Sequence, residues 1–226
     1  KRGADQAFRQ VWSVLVDPAA PEVDPSPPPS PGPLLTLQRS GPPEEKFDLL
    51  LVGDGYLAGQ CGRFEADARR LLAALFAHQP WKARQGDVNV WGLCPPSEAA
   101  GVSRPSTGQH RRSRIGASYD AFGSERYVLA LDNRSIRDVA SFAPYDALAI
   151  VVNGETYGGG GIFNLYTTVA AGSRWAPYVF VHELGHSVAA LADEYFTSDT
   201  AYLPTEERPE PWTPNVTADP RGTKWA

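Results

Sequence analysis

Three short apolar runs, FDLLLV (47–52), VNVWGL (88–93) and ALAIVV (147–152), constrain this chain more than any other feature. Each has the length of one strand and is apolar at consecutive positions, as expected where both faces of a strand are covered. Between the first two, Phe64, Ala68, Leu71, Leu72, Leu75 and Phe76 recur at helical spacing from Gln60 to His78, and Pro80 is expected to stop that helix. A strand at Tyr127–Leu131 and a short helix at Ser135–Phe142 precede the third run. Strands alternating with helices predict a three-layer α/β domain, a mixed twisted sheet with flanking helices.

The rest of the chain divides around that core. Residues 17–33, with PSPPPSPGP inside them, suit neither helix nor central strand and read as an extended polyproline-type spacer. Before it, AFRQVWSVLVD alternates like a strand, so residues 1–16 are expected to be the remnant of a preceding domain. The chain opens on Lys1, which suggests a processed product or an excised piece. Leu34–Leu37 is expected as an edge strand that begins a domain running from 34 to 226. Pro95–Ser118, with Arg104, Arg111, Arg112 and Arg114, is a long polar loop.

A net charge of −5 argues against a nucleic-acid partner, and no apolar run has the length of a membrane span. Cys61 and Cys94 suit either one disulfide or two buried thiols. Asn133-Arg134-Ser135 and Asn215-Val216-Thr217 match glycosylation acceptors. Gly53-Asp54-Gly55-Tyr56-Leu57-Ala58-Gly59 has the glycine pattern of a dinucleotide turn. The second strand, however, ends without the acidic residue such a site needs, so a tight turn is the better reading.

The chemistry lies in VHELGHSVAALADEY (181–195). With only four histidines in the chain, H-E-x-x-H is expected by chance roughly 0.004 times per chain of this composition. On a helix, His182 and His186 share a face and can reach one Zn²⁺ ion, while Glu183 can hold the attacking water as general base. Pro177 suits the first turn of that helix. A third ligand is needed, and no histidine follows. Asp193 lies near three whole turns beyond His182, but a straight helix would carry it about 10 Å past His186. The helix must therefore end near Ala189 or Ala190 if Asp193 binds. Glu194, Glu206, Glu207 and Glu210 are the alternatives, and Tyr166 and Tyr195 are candidates to stabilise an oxyanion.

FDLLLVGDGY, NGETYGGGGIFN, VHELGHSVAALADEY and EPWTPNVT, in this order from Phe47 to Trp225, together resemble the immunoglobulin A zinc metallopeptidase family, secreted endopeptidases of the zincin type related to the metzincins. The resemblance implies a metzincin-like fold whose active-site helix carries HExxH. It also implies zinc held by His182, His186 and Asp193, Glu183 as base, a protein or peptide substrate, and an extracellular location. The glycine run reads equally as a flexible link or, by the same resemblance, as an edge strand over residues 158–164 whose Gly159, Gly160, Gly161 and Ile162 bind extended substrate. Relatives carry a glycine where this chain has Ala189-Ala190, and they continue into a segment with a methionine. This chain has no methionine, so a cleft without that lower wall is expected. The competing expectation is a non-catalytic relative that binds protein or glycan with a structural metal.

Overall fold

The computed structural model describes residues 9–24, 26, 29–195 and 210–226. Residues 30–189 form one compact unit, and residues 1–29 with 190–226 form another.

The larger unit is built on a six-stranded sheet. Its strands are β1 (Leu34–Gln38), β2 (Phe47–Asp54), β3 (Val88–Leu93), β6 (Ala147–Val152), β7 (Gly159–Ile162) and β8 (Tyr166–Ala170). A two-residue pair, β4 (Ala117–Ser118) and β5 (Leu129–Ala130), lies apart from it. The helices are α1 (Cys61–Leu75), α2 (Asn133–Ala140) and α3 (Ala176–Ala189). The sheet order is β1-β3-β2-β6-β8-β7. The four inner strands are parallel, and the two edge strands run antiparallel to their neighbours. The sheet is therefore mixed, and the expected three-layer α/β architecture is present.

The alternation of side chains along β2 sorts the core into two layers. Leu49 and Leu51 point to the face covered by α1 and α3, where they meet Phe64, Leu71, Val179, Phe180 and Leu184. Leu50 and Val52 point the other way, against Ile136 and Val139 of α2, Leu129 of β5, and Ile115 and Val128 of the loops. Asp54, at the end of β2, is buried and turns to this second layer. Its carboxylate accepts from the Ile115 and Ala117 N–H groups (2.8 and 2.9 Å) and from Ser113 Oγ (2.8 Å), which pins the end of the arginine loop. Burial pushes the Asp54 carboxyl up, and these three donors pull it back. The glycine-patterned turn that follows is closed by packing: Gly55, at φ +79°, has its C=O bonded to the Gly101 N–H at 2.8 Å, and a Cβ there would meet the Gly101 main chain at 2.7 Å.

Several expectations need adjustment. The first helix ends at Leu75, before Pro80 is reached: Phe76 makes the last bond back four residues, to Leu72, and Ala77 and His78 bond back only three, to Ala74 and Leu75. The strand expected at Tyr127–Leu131 contracts to Leu129–Ala130. β8 carries no apolar run and was not anticipated. Cys61 and Cys94 are joined in a disulfide.

In the smaller unit, no strand forms over residues 9–17, and Val11, Trp12, Val14, Leu15 and Val16 are exposed. Alternation alone makes no strand there, because a strand needs a neighbour to take its main-chain hydrogen bonds. Residues 210–226 carry one short 3-10 turn, Thr223–Trp225. Among the described residues, no helix is long and apolar enough to cross a membrane.

Candidate metal centre

Helix α3 begins at Ala176 with Pro177 in its first turn, where the missing N–H costs nothing. Four-residue spacing then places Tyr178, His182 and His186 on one face. The Tyr178 ring stacks on His182, with centroids 5.9 Å apart and planes at 15°. The His182 and His186 rings are nearly perpendicular, and their Nε2 atoms lie 3.1 Å apart. The nearest ligand atoms of His182, Glu183 and His186 all fall within 4.8 Å of one another, half-buried. Two nitrogens bound tetrahedrally at about 2.0–2.1 Å from one ion would be separated by about 3.3 Å, so the histidine pair fits a metal. Tyr178 was missed, although its spacing to His182 repeats that of His182 to His186.

The four glycines explain how this helix comes close to the sheet. A Cβ at Gly159 would meet Val179 Cγ1 at 2.5 Å. One at Gly161 would run into the Glu183 main chain, His186 Cβ (2.9 Å) and Glu183 Oε2 (3.1 Å). The edge strand β7 therefore lies directly against the turn of α3 that carries the motif, and only glycine permits that approach. Gly160 faces the opposite layer, against Leu129 and Val128. Gly161→Ala is expected to force β7 and α3 apart at a cost of about 1–3 kcal/mol, read as a lower midpoint in denaturant unfolding. An unchanged midpoint would contradict this packing.

Further bonds fasten helix to sheet. Thr167 Oγ1 on β8 donates to the Glu183 C=O (3.2 Å) and lies 2.5 Å from Ser187 Oγ. The Asn164 N–H, in the β7–β8 turn, caps the Ser187 C=O at 2.8 Å. Of the four residues expected to meet substrate, Gly160 and Ile162 turn their main-chain groups towards β8. The Ala170 N–H bonds to the Gly158 C=O, which turns Gly158 and Gly160 towards β8 and leaves Gly159 and Gly161 facing outward. Gly159 is already paired outward, with the Arg126 C=O and the Val128 N–H. The next outward-facing main-chain groups are those of Gly161, beside Glu183.

Helix α3 stops after Ala189, where the third-ligand argument requires it to stop. Ala190 takes the left-handed conformation, φ +57°, that glycine usually supplies. Asp193 lies beyond, exposed and in the smaller unit. Glu194 accepts from Asn215 Nδ2, and Glu210 accepts from Thr217 and Ala218 and pairs with Lys224. Glu206 and Glu207 lie outside the described residues. Tyr166 is removed as an oxyanion donor: it is buried on β8, and its hydroxyl both donates to the Ala130 C=O (2.7 Å) and accepts from the Ala130 N–H (3.2 Å). Tyr195 is exposed.

The model of the IgA peptidase M64 family matches residues 35–226. The chain belongs to the IgA peptidase M64 family. No curated protein matches its sequence. Membership makes the chain a peptidase of the metallopeptidase type, whose substrates are proteins or peptides, and the histidine pair of α3 is where an M64 peptidase built on this fold can hold a metal.

Proposed function

We propose that this M64 chain is a zinc-dependent endopeptidase in which His182, His186 and Asp193 hold the metal and Glu183 is the general base. The observation that carries this reading is the pair of histidine Nε2 atoms 3.1 Å apart, with the Glu183 carboxylate beside them under an edge strand. Zinc, when bound, lowers the pKa of a water towards about 7 and polarises the scissile carbonyl. Glu183 accepts the proton of the attacking water and delivers it to the leaving amine. Gly161 offers its outward main-chain groups to an extended substrate, which is thereby aligned along β7 and over Glu183. Asp193 is supported as third ligand by the end of α3 at Ala189, which removes the straight-helix displacement. Location outside the cell is supported by the Cys61–Cys94 disulfide, a bond typical of oxidising compartments.

Metal content tests the ligand set. Purified protein is expected to hold one zinc per chain, and Asp193→Ala to lose it under mild chelation. An Asp193→Ala variant that binds zinc as tightly as wild type would overturn the assignment of Asp193.

A further inference from the structure

The chain after α3 is gripped by a carboxamide. Asn215 Oδ1 accepts the Ala192 N–H at 2.8 Å, and its Nδ2 donates to the Ala192 C=O at 2.9 Å. Both main-chain groups of one residue are thus bonded to one side chain. The same Nδ2 donates to Glu194 Oε1 at 3.0 Å. These contacts bracket Asp193 from both sides in sequence. The carboxamide of Asn carries a donor and an acceptor side by side on one planar, uncharged group, which is what this fork uses.

Asn215 is itself held in place by a cation. Lys224 Nζ donates to the carbonyls of Pro211 (2.5 Å), Thr213 (2.7 Å) and Val216 (2.8 Å), and it pairs with Glu210 at 3.2 Å. Trp225 Nε1 donates to the Pro214 C=O at 2.8 Å. The loop that carries Asn215 is wrapped around one ammonium group, which fixes it where little apolar surface is available to do so. The bonds of Asn215 also leave its amide nitrogen committed, so the Asn-Val-Thr triplet is better read as a structural clamp than as a glycan acceptor.

Resting on the reading of Asp193 as the third ligand, we infer that Asn215 is a positioning residue for the metal. It fixes the main chain of Ala192 before Asp193 and the side chain of Glu194 after it, and so presents the Asp193 carboxylate ready-ordered. A ligand carried on a segment outside any helix or strand must otherwise be ordered when the metal binds, and that cost appears directly as weaker affinity. Partners that orient a ligand are commonly worth 10–100-fold in metal affinity.

The test is zinc affinity by chelator competition for wild type, Asn215→Ala, Asp193→Ala and the double variant, all in the full chain. Asn215→Ala is expected to weaken zinc binding by about 10–100-fold. Asp193→Ala is expected to weaken it further, and Asn215→Ala to add nothing once Asp193 is gone. Asn215→Asp, nearly the same size but without the donor, should behave like the alanine variant and serves if that variant does not fold. Affinity within twofold of wild type in Asn215→Ala, beside a weakened Asp193→Ala, would overturn the positioning role and leave the ligand intact. Equal losses from Asn215→Ala with and without Asp193 would also overturn it, as the effect would then not pass through Asp193. An Asp193→Ala variant of unchanged affinity would remove the ligand reading and this inference with it.

Discussion

Glu183→Gln is expected to lower peptide hydrolysis by about 10²–10⁴-fold while zinc content stays at the wild-type level. Glutamine keeps the size of the side chain and can still hold a water, but a carboxamide cannot take a proton at neutral pH. His182 and His186 remain, and their approach is set by the helix rather than by Glu183. The variant therefore separates proton transfer from metal binding. Single-turnover cleavage beside metal analysis checks it, and a Glu183→Gln variant that cleaves within threefold of wild type would remove Glu183 as the base.

The second large effect concerns stability. The Cys61–Cys94 disulfide spans 33 positions and ties the start of α1 to the residue that follows β3. Closing a loop of that length in the unfolded chain is worth about 3–4 kcal/mol by chain entropy. Losing it changes the folding equilibrium by a few hundredfold, because each 1.4 kcal/mol is about a factor of ten. The Cys61→Ala/Cys94→Ala variant should show a correspondingly lower midpoint in denaturant unfolding, whereas both wild type and variant should keep the same far-ultraviolet spectrum. A midpoint unchanged by the double substitution would show that the bond constrains nothing the packing of α1 does not already hold.

What could be read in the sequence follows from where each signal resides. β3 and β6 lie where the apolar runs place them, residue for residue, because a strand covered on both faces announces itself locally. β8 is equally buried but was invisible: Thr167 and Thr168 are polar, and their hydroxyls are satisfied by Gly160 on the adjacent strand and by Glu183, Ser187 and Val128, which are distant in sequence. The opposite error occurred at residues 9–17, where alternation was present without a neighbouring strand among the described residues to pair with. The glycine run gave equal warrant for a flexible link and for a rim, and the decision came from what each absent Cβ would have met.

The site divides in the same way. HExxH is a local pattern, and its two histidines come together because a helix brings residues four apart onto one face. The Ala189-Ala190 pair argued against a helix stop, yet Ala190 adopts the left-handed conformation without glycine. Asn215 carried a misleading local signal, a glycosylation triplet, while its bonds to Ala192 and Glu194 span more than twenty residues and have no local signature. Tyr166 had been a plausible oxyanion donor by chemistry alone, and only its bonds to Ala130 removed it.

The most direct test of the central claim is cleavage of an unfolded protein by the metal-free chain as zinc is titrated in, followed by a chelator. The account predicts no cleavage without metal, a rise that saturates at one equivalent of zinc, and complete loss on chelation. Cleavage that persists in the metal-free chain, or a fully zinc-loaded chain that cuts no peptide bond, would contradict it.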